Sequence, residues 1–461
     1  MLIAFITSFG KRIVPALVIV SAVAAYGAEA GALRVGAARI DITPPADALP
    51  IPYTSIRDPI YVRAIVLDNS VTRAVLLGVD LIGIDEDLWA DASKQIAQEL
   101  QCPTENIALS ATHSHSTPYP NWGGPNAPPD PNLPAFRAKL KAGIIEAVRE
   151  AKGRLQPARM GFGTGATYLN VNRDAIHPET RLWYQGPNLE GPSDKTVAVV
   201  EFETPSGEPI AVYVNYAMHA INFYMLGILS ADFPGATSRY VEQTYDDKVV
   251  AIWSSGAAGD QNPLYLRPHY GARAAKGGLG NDQTGKAMIA GQPQDGNADR
   301  AVDILNKWVD AMGRVMGEEV LRVMGATQRT SSEVRIWAGR KTLRCPGRDR
   351  TNTGREGAPG TYVDGEPVNI RVGLLTIGTT AFAMVNAELY SSIAQRLKKE
   401  SPFTNTVVVT LADGAANSGY IPSDDAYGHN TFQVLGSRLK PGCAENAIVN
   451  SELDLMTESM K

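Results

Sequence analysis

Basic runs, histidine, cysteine and long apolar segments are what this chain has least of. No cluster of lysine and arginine occurs in its 461 residues, and the formal net charge is −5. The electrostatic footprint of a nucleic-acid binder is therefore missing. Beyond the N-terminal stretch, no segment is apolar for long enough to span a bilayer. No repeat period and no linker divides the chain, so one compact catalytic unit is the simplest organisation. Cysteines number three, so one thiol is left over from any internal pairing. Cys345 and Cys443 both sit in Pro/Gly-rich sequence and make the favoured pair. Cys102 follows an amphipathic helix and reads as a lone buried thiol.

The N-terminus is the exception to the apolar shortage. Lys11-Arg12 precede an apolar run over 13–25, and Ala28-Glu29-Ala30 has small residues at signal-peptidase spacing. Residues 1–30 read as a secretory signal peptide, with a single membrane anchor as the alternative. The expected location is secreted or periplasmic.

Apolar periodicity lays out the rest. Strands are expected over 34–45, 62–67, 74–79, 107–109, 196–203, 210–216, 249–253, 334–337, 372–377, 381–385 and 407–411. Helices are expected over 86–100, 134–151, 301–324 and 389–399. Residues 266–299, rich in Gly, Gln, Asn and Asp, read as a long surface loop and a candidate lid. This alternation predicts an α/β (mixed α+β) fold with one large catalytic domain over 31–461.

Six histidines serve the whole chain, and two stand in Ser110-Ala111-Thr112-His113-Ser114-His115-Ser116. If the preceding strand runs into them, side chains two apart share a face, and His113 and His115 project together. Four apolar strands deliver polar residues at their ends: His113/His115, Asn215/His219, Asp260/Asn262 and Asn386/Glu388. Strand ends are where α/β proteins place their sites. Two histidines and a carboxylate form a common catalytic zinc set with one position left for water. Each member also has an ordinary reading. A lone histidine in an apolar segment, as His219 is, more often belongs to the core. An acid that begins a helix, as Glu388 is expected to, is favoured by the macrodipole.

Taken together, these segments resemble the neutral/alkaline (non-lysosomal) ceramidase family. Gly36-Ala37-Ala38-Arg39-Ile40-Asp41-Ile42-Thr43-Pro44 resembles its opening motif. The segment Asn106 to Ser116 is similar to its Ser-Ala-Thr-His-Thr-His-Ser-Gly signature. Asn170-Val171-Asn172-Arg173 resembles an Asn-Arg segment, and Gly259-Asp260-Gln261-Asn262-Pro263 a Gly-Asp-x-Ser-Pro segment. Ala387-Glu388, Asn417-Ser418-Gly419-Tyr420-Ile421 and Asp425-Ala426-Tyr427 are similar to the late motifs. Family members are zinc amidases that cleave the N-acyl bond of ceramide. The resemblance implies one zinc per chain on His113, His219, Glu388 and Tyr420. It implies His115 behind the ligands or against substrate, and Arg173 as a substrate or oxyanion contact. Two departures stand out. Asn262 replaces the family serine, and the chain stops soon after Tyr427, so no C-terminal immunoglobulin-like domain is expected.

The expected activity is thus an exported zinc-dependent hydrolase cleaving an amide of ceramide or another N-acyl substrate. Zinc-activated water is the nucleophile, with His115 or Asp260 as general base and Tyr420 and Arg173 on the oxyanion. Asn262 has no proton to give up, so it donates a hydrogen bond or positions a water. The expected partner is a small-molecule or lipid-like amide, with no nucleic acid and at most peripheral membrane contact. The rival from another class is a non-catalytic, metal-containing binding protein on the same fold. A metallophosphoesterase needs a second metal, for which Asp80 and Asp232 are the available acids.

Overall fold

The computed structural model describes residues 29–119, 129–276, 298–327, 330–354 and 356–461. Residues 1–28 of the expected leader lie outside the described residues.

Strands β1 (Arg34–Asp41), β2 (Tyr61–Asp68) and β3 (Arg73–Val79) form an antiparallel ladder. Helix α1 (Glu86–Leu100) crosses over, and β4 (Ile107–Ala111) returns parallel to β3, with Val75 opposite Ile107 and Val79 opposite Ala111. The Asp85 side chain accepts the Leu88 amide at the start of α1, and the left-handed Gln101 ends it. Leu88, Ala92, Ile96 and Leu100 recur at helical spacing and are buried. Helix α2 (Leu133–Gly153) follows.

The same plan recurs twice. In the second unit β5 (Arg159–Ala166) is followed by an inserted hairpin, β6 (Asn170–Ile176) and β7 (Trp183–Asn188). Then β8 (Thr196–Glu203) and β9 (Pro209–Tyr216) complete the antiparallel ladder. Helix α3 (Asp232–Thr244) crosses to β10 (Val250–Ser255), parallel to β9. After β11 (Gln261–Pro263) and α4 (Arg267–Ala275) comes the long α5 (Ala298–Ala326). The third unit has β12 (Ile336–Arg350), β13 (Tyr362–Ile377) and β14 (Thr380–Val385) antiparallel. A two-residue strand β15 (Glu388–Leu389) and helix α6 (Ser391–Glu400) lead to β16 (Asn405–Thr410), parallel to β14. The short β17 (Tyr420–Ile421) and α7 (Ala444–Ser459) close the chain.

Each sheet therefore has its fourth strand beside its third, then its second, then its first. The inner faces of the three sheets meet in one core. Ile65, Leu76 and Ala108 of the first sheet join Val200, Tyr213 and Ile252 of the second and Leu375, Phe382 and Val407 of the third. The outer faces are covered by α1 and α2, by α3 and α5, and by α6 and α7. Burial on both faces explains why these strands read as continuous apolar runs. Gly78 lets two sheets approach: a Cβ there would stand 2.7 Å from Ile252 Cγ2.

Several expectations change. A repeat does exist, but in topology, because inserted hairpins and arms destroy any common spacing. β12 and β13 are 15 and 16 residues long, far beyond their apolar cores. Within 266–299, Arg267–Ala275 is helical and α5 already begins at Ala298; residues 277–297 lie outside the described residues. Glu388 does not open a helix; it pairs with Tyr420 across β15 and β17, and the helix starts at Ser391. Cys345 and Cys443 are disulfide-bonded, as favoured, but Cys345 lies on β12 and not in a loop. Cys102 is free and buried.

That bond closes 98 residues and ties the long hairpin to the start of α7. Replacing both cysteines by serine is expected to cost about 2–5 kcal/mol, on the scale of loop-closure entropy. Thermal unfolding of the double variant checks it; an unchanged melting temperature would show that the packing of α7 alone fixes the hairpin.

Candidate metal centre

One side chain from each unit reaches a common point. β4 ends at Ala111, and Thr112 and Ser114 hydrogen-bond from their amides to Val79 and Leu81. His113 takes a left-handed backbone conformation, φ 66°, uncommon for a residue with a Cβ. The two histidines thus converge through a turn, not through strand alternation. Ser114 bridges to Ala220, and the His115 amide donates to the Ala220 carbonyl, which draws the His219 segment alongside. His219 follows β9. Glu388 follows β14 and is held in place by β17.

Backbone carbonyls fix the two ligand-like imidazoles. His113 Nδ1 lies 2.8 Å from the Ile82 oxygen, and His219 Nδ1 lies 3.0 Å from the Gln261 oxygen. A carbonyl only accepts, so Nδ1 carries the proton and Nε2 offers its lone pair. His113 Nε2 is 3.3 Å and His219 Nε2 is 3.2 Å from Glu388 Oε2. His115 Nε2 is 3.3 Å from His113 Nε2. His219 Nε2 and Glu388 Oε2 are both buried and lack a hydrogen-bond partner among the described residues. Lone pairs converging on one point without donors are what a cation would satisfy. The ligand atoms of His113, His115 and His219 all lie within 4.8 Å of one another, so His115 stands at the centre and not behind it. The donor set of imidazoles and one carboxylate suits zinc or a similar transition metal.

The electrostatics agree. Burial, then the neighbouring His113 and His219, hold the His115 imidazole well below its usual range. Burial, then Arg173 and His113, push His219 down to about 3. Burial would raise Glu388, but His113 and His219 outweigh it and keep the carboxyl well below its usual range. His115 and His219 are thus uncharged near neutral pH, and Glu388 is a carboxylate. The Tyr420 phenol is pushed up, by burial first and Glu388 next, so it remains a donor.

Arg173, on β6, is buried; Nε and Nη2 donate to the Gly259 carbonyl at 3.1 and 2.6 Å. Nη1 donates to Asn262 Oδ1 at 3.2 Å. The guanidinium lies against the Tyr420 ring (5.3 Å) and the Phe432 ring (5.0 Å) and hydrogen-bonds Tyr420. Asp260, a candidate base from sequence, does not reach the cavity wall. Its Oδ1 accepts the Ser391 amide (2.7 Å) and its Oδ2 the Asn172 amide group (2.8 Å), joining the second unit to the third. Ser254 and Ser255 are buried and donate to the Val214 and Gly256 carbonyls. Asp80 is ion-paired to Arg63, and Asp232 accepts from Asn222.

A cavity of about 460 Å³ opens onto the cluster; His115, His219, Arg173 and Tyr420 form its floor. Its wall includes Tyr224, His269, Arg273, Arg350, Glu356 and Phe432. Sequence reasoning missed all of these. They lie in loops, a short helix and a hairpin arm, where no periodicity marks a residue as facing a site.

Residues 34–328 match the family model for the N-terminal domain of neutral/alkaline non-lysosomal ceramidases. A neutral ceramidase of Pseudomonas aeruginosa is 27% identical over 179 residues, 36% of this chain and 26% of that protein. A neutral ceramidase of Drosophila pseudoobscura pseudoobscura is 23% identical over 272 residues, 52% of this chain and 38% of that protein. These alignments thus span less than half of either relative. Among solved structures, a ceramidase complexed with C2 superposes with a TM-score of 0.67 at 16% identity, covering 92% of this chain and 75% of that one. The neutral ceramidase from Pseudomonas aeruginosa gives 0.64 at 16% identity, covering 92% and 74%. At that identity the likeness establishes the fold.

Burial pushes the Asp260 carboxyl up to about 7. A carboxyl held above its unfolded value stabilises the fold below about pH 4, and that contribution is lost as pH rises through about 7. Asp260→Asn should therefore cost about 1–3 kcal/mol at pH 5 and less at pH 8. Denaturant unfolding at the two pH values measures this; an equal loss at both would mean that Asp260 is ionised throughout.

Proposed function

Because the chain belongs to the neutral/alkaline non-lysosomal ceramidase family, we propose that it hydrolyses the amide of an N-acyl lipid of the ceramide class. His113, His219 and Glu388 would hold one zinc ion, with Tyr420 beside them. The observation that supports this reading is the convergence of buried lone pairs on His219 Nε2 and Glu388 Oε2 that no donor meets. Zinc bound there would lower the pKa of a water and polarise a carbonyl.

The chain's own groups supply the rest. His115, kept neutral, accepts the proton released at attack and passes it to the leaving amine. Tyr420 and the Arg173 guanidinium donate toward the oxygen on which charge develops. Asn262 acts through Arg173: its Oδ1 fixes the guanidinium, and its amide cannot form an acyl intermediate. Asp260 accepts from Asn172 and from the Arg173 amide, bracing β6 beside β11, the strands that carry the two residues. Export belongs to the same proposal, carried by the basic and apolar pattern before residue 30.

Purified protein is expected to carry about one zinc per chain and to hydrolyse N-acyl sphingosine only without chelator. His113→Ala, His219→Ala and Glu388→Ala should each lose the metal. Asn262→Ala should keep it and lower turnover by about 10- to 1000-fold, because it releases Arg173, the oxyanion donor that Asn262 positions. Pre-steady-state traces should show no acyl-enzyme burst. Full activity in chelator, or a trapped acyl adduct, would contradict the mechanism. Zinc bound without hydrolysis of any amide would favour a binding protein.

A further inference from the structure

Past the metal centre, the cavity wall carries charge that the proposed reaction does not use. From His219 the wall runs to the Tyr420 ring, 6.4 Å between ring centres, and to the Phe432 ring, 5.6 Å further. The Phe432 amide donates to Glu356 Oε1 at 3.3 Å. Arg350, the last residue of β12, lines this end of the cavity with Gly354 and Glu356. Outside the histidine–Glu388 cluster, the described residues of the wall include one acid, Glu356, and three arginines, Arg173, Arg273 and Arg350.

Arg350 is half-buried, and its own contacts are neutral. Nε donates to Asn352 Oδ1 at 2.9 Å and Nη2 to the Gly354 carbonyl. Among the described residues no carboxylate pairs with it, and Nη1 has no protein partner. The two bonds splay the guanidinium in a fixed plane at the cavity wall, the geometry that suits a planar oxyanion. Glu356 does not oppose this strongly, since burial pushes its carboxyl up to about 7. The uncharged head of a ceramide would leave Arg350 without a counter-charge. The charge of Arg173 is already placed at the reacting end, against Tyr420.

We propose that this cavity accepts an N-acyl substrate bearing a carboxylate, as an N-acyl amino acid does, and that Arg350 binds that carboxylate. The inference rests on the amide hydrolysis proposed above and narrows its substrate class. The amide faces the histidines, and the carboxylate, three bonds from the acyl carbon, points along the Phe432 side of the wall toward Arg350. Rejection of neutral analogues follows from the guanidinium they leave unpaired.

The test uses two ligands of one acyl chain, N-lauroylglycine and N-lauroylglycinamide, which differ only in a terminal carboxylate against a neutral carboxamide. Calorimetric binding to the chelator-treated protein should favour the carboxylate by about tenfold or more, typical of a charge-assisted bidentate contact. Arg350→Gln should bring the ratio to about one, and Arg350→Lys should leave an intermediate value. Reading each variant as a ratio between the two ligands cancels a general loss of fold. A ratio near one in the unaltered protein, or a ratio that survives Arg350→Gln, overturns the proposal. Hydrolysis by the zinc-loaded protein is scored separately. Hydrolysis of both ligands without preference sinks the carboxylate site and leaves the amidase reading intact. Preferential binding with no hydrolysis sinks the amidase reading and leaves the carboxylate site standing.

Discussion

A carboxylate wedged between two imidazoles, largely out of water, is the arrangement on which the site depends. The Glu388 side chain is 22% exposed, and one oxygen stands within 3.3 Å of both His113 and His219. Such a group is costly to bury unless its charge is answered. With each Nδ1 turned to a backbone carbonyl, the imidazoles present Nε2 to it and answer that charge only in part. A divalent cation would turn three mutually unfavourable acceptors into ligands. Binding and folding are then coupled, since no preformed site exists in the unfolded chain.

The fold explains why the three acceptors meet. Each comes from a different β-β-β-α-β-α unit: His113 follows the fourth strand of the first, His219 the third strand of the second, and Glu388 the third strand of the third. The shared core of the three sheets sets the distances between them. Asp260, which accepts the Ser391 amide, adds a polar tie between the second unit and the third. Displacing any one sheet would separate the ligands without altering one of them, so the site reports on the packing of the whole molecule.

Much of this was legible beforehand. Helix 86–100 was readable because Leu88, Ala92, Ile96 and Leu100 recur at helical spacing. His113, His219 and Glu388 stood among eight polar residues at strand ends, and only the family resemblance singled them out as a ligand set. The threefold plan was not, since topology leaves no trace in spacing once arms such as β12–β13 are inserted. The route by which His113 and His115 converge was also hidden: a left-handed residue after Ala111 does what alternation was expected to do. Arg350, Glu356 and Phe432 had no signature at all, because only tertiary packing brings them to the cavity. Asp260 shows the converse failure, where a family motif suggested chemistry and the hydrogen bonds show a brace.

The central claim is that one metal ion binds where the three units meet. Crystals of the protein, grown without added metal and measured on both sides of the zinc absorption edge, test it directly. The account predicts one anomalous peak within coordination distance of His113 Nε2, His219 Nε2 and Glu388 Oε2, present above the edge and lost below it. A peak elsewhere with this cluster empty, or a cluster bridged by water alone in protein that is catalytically active, would contradict it.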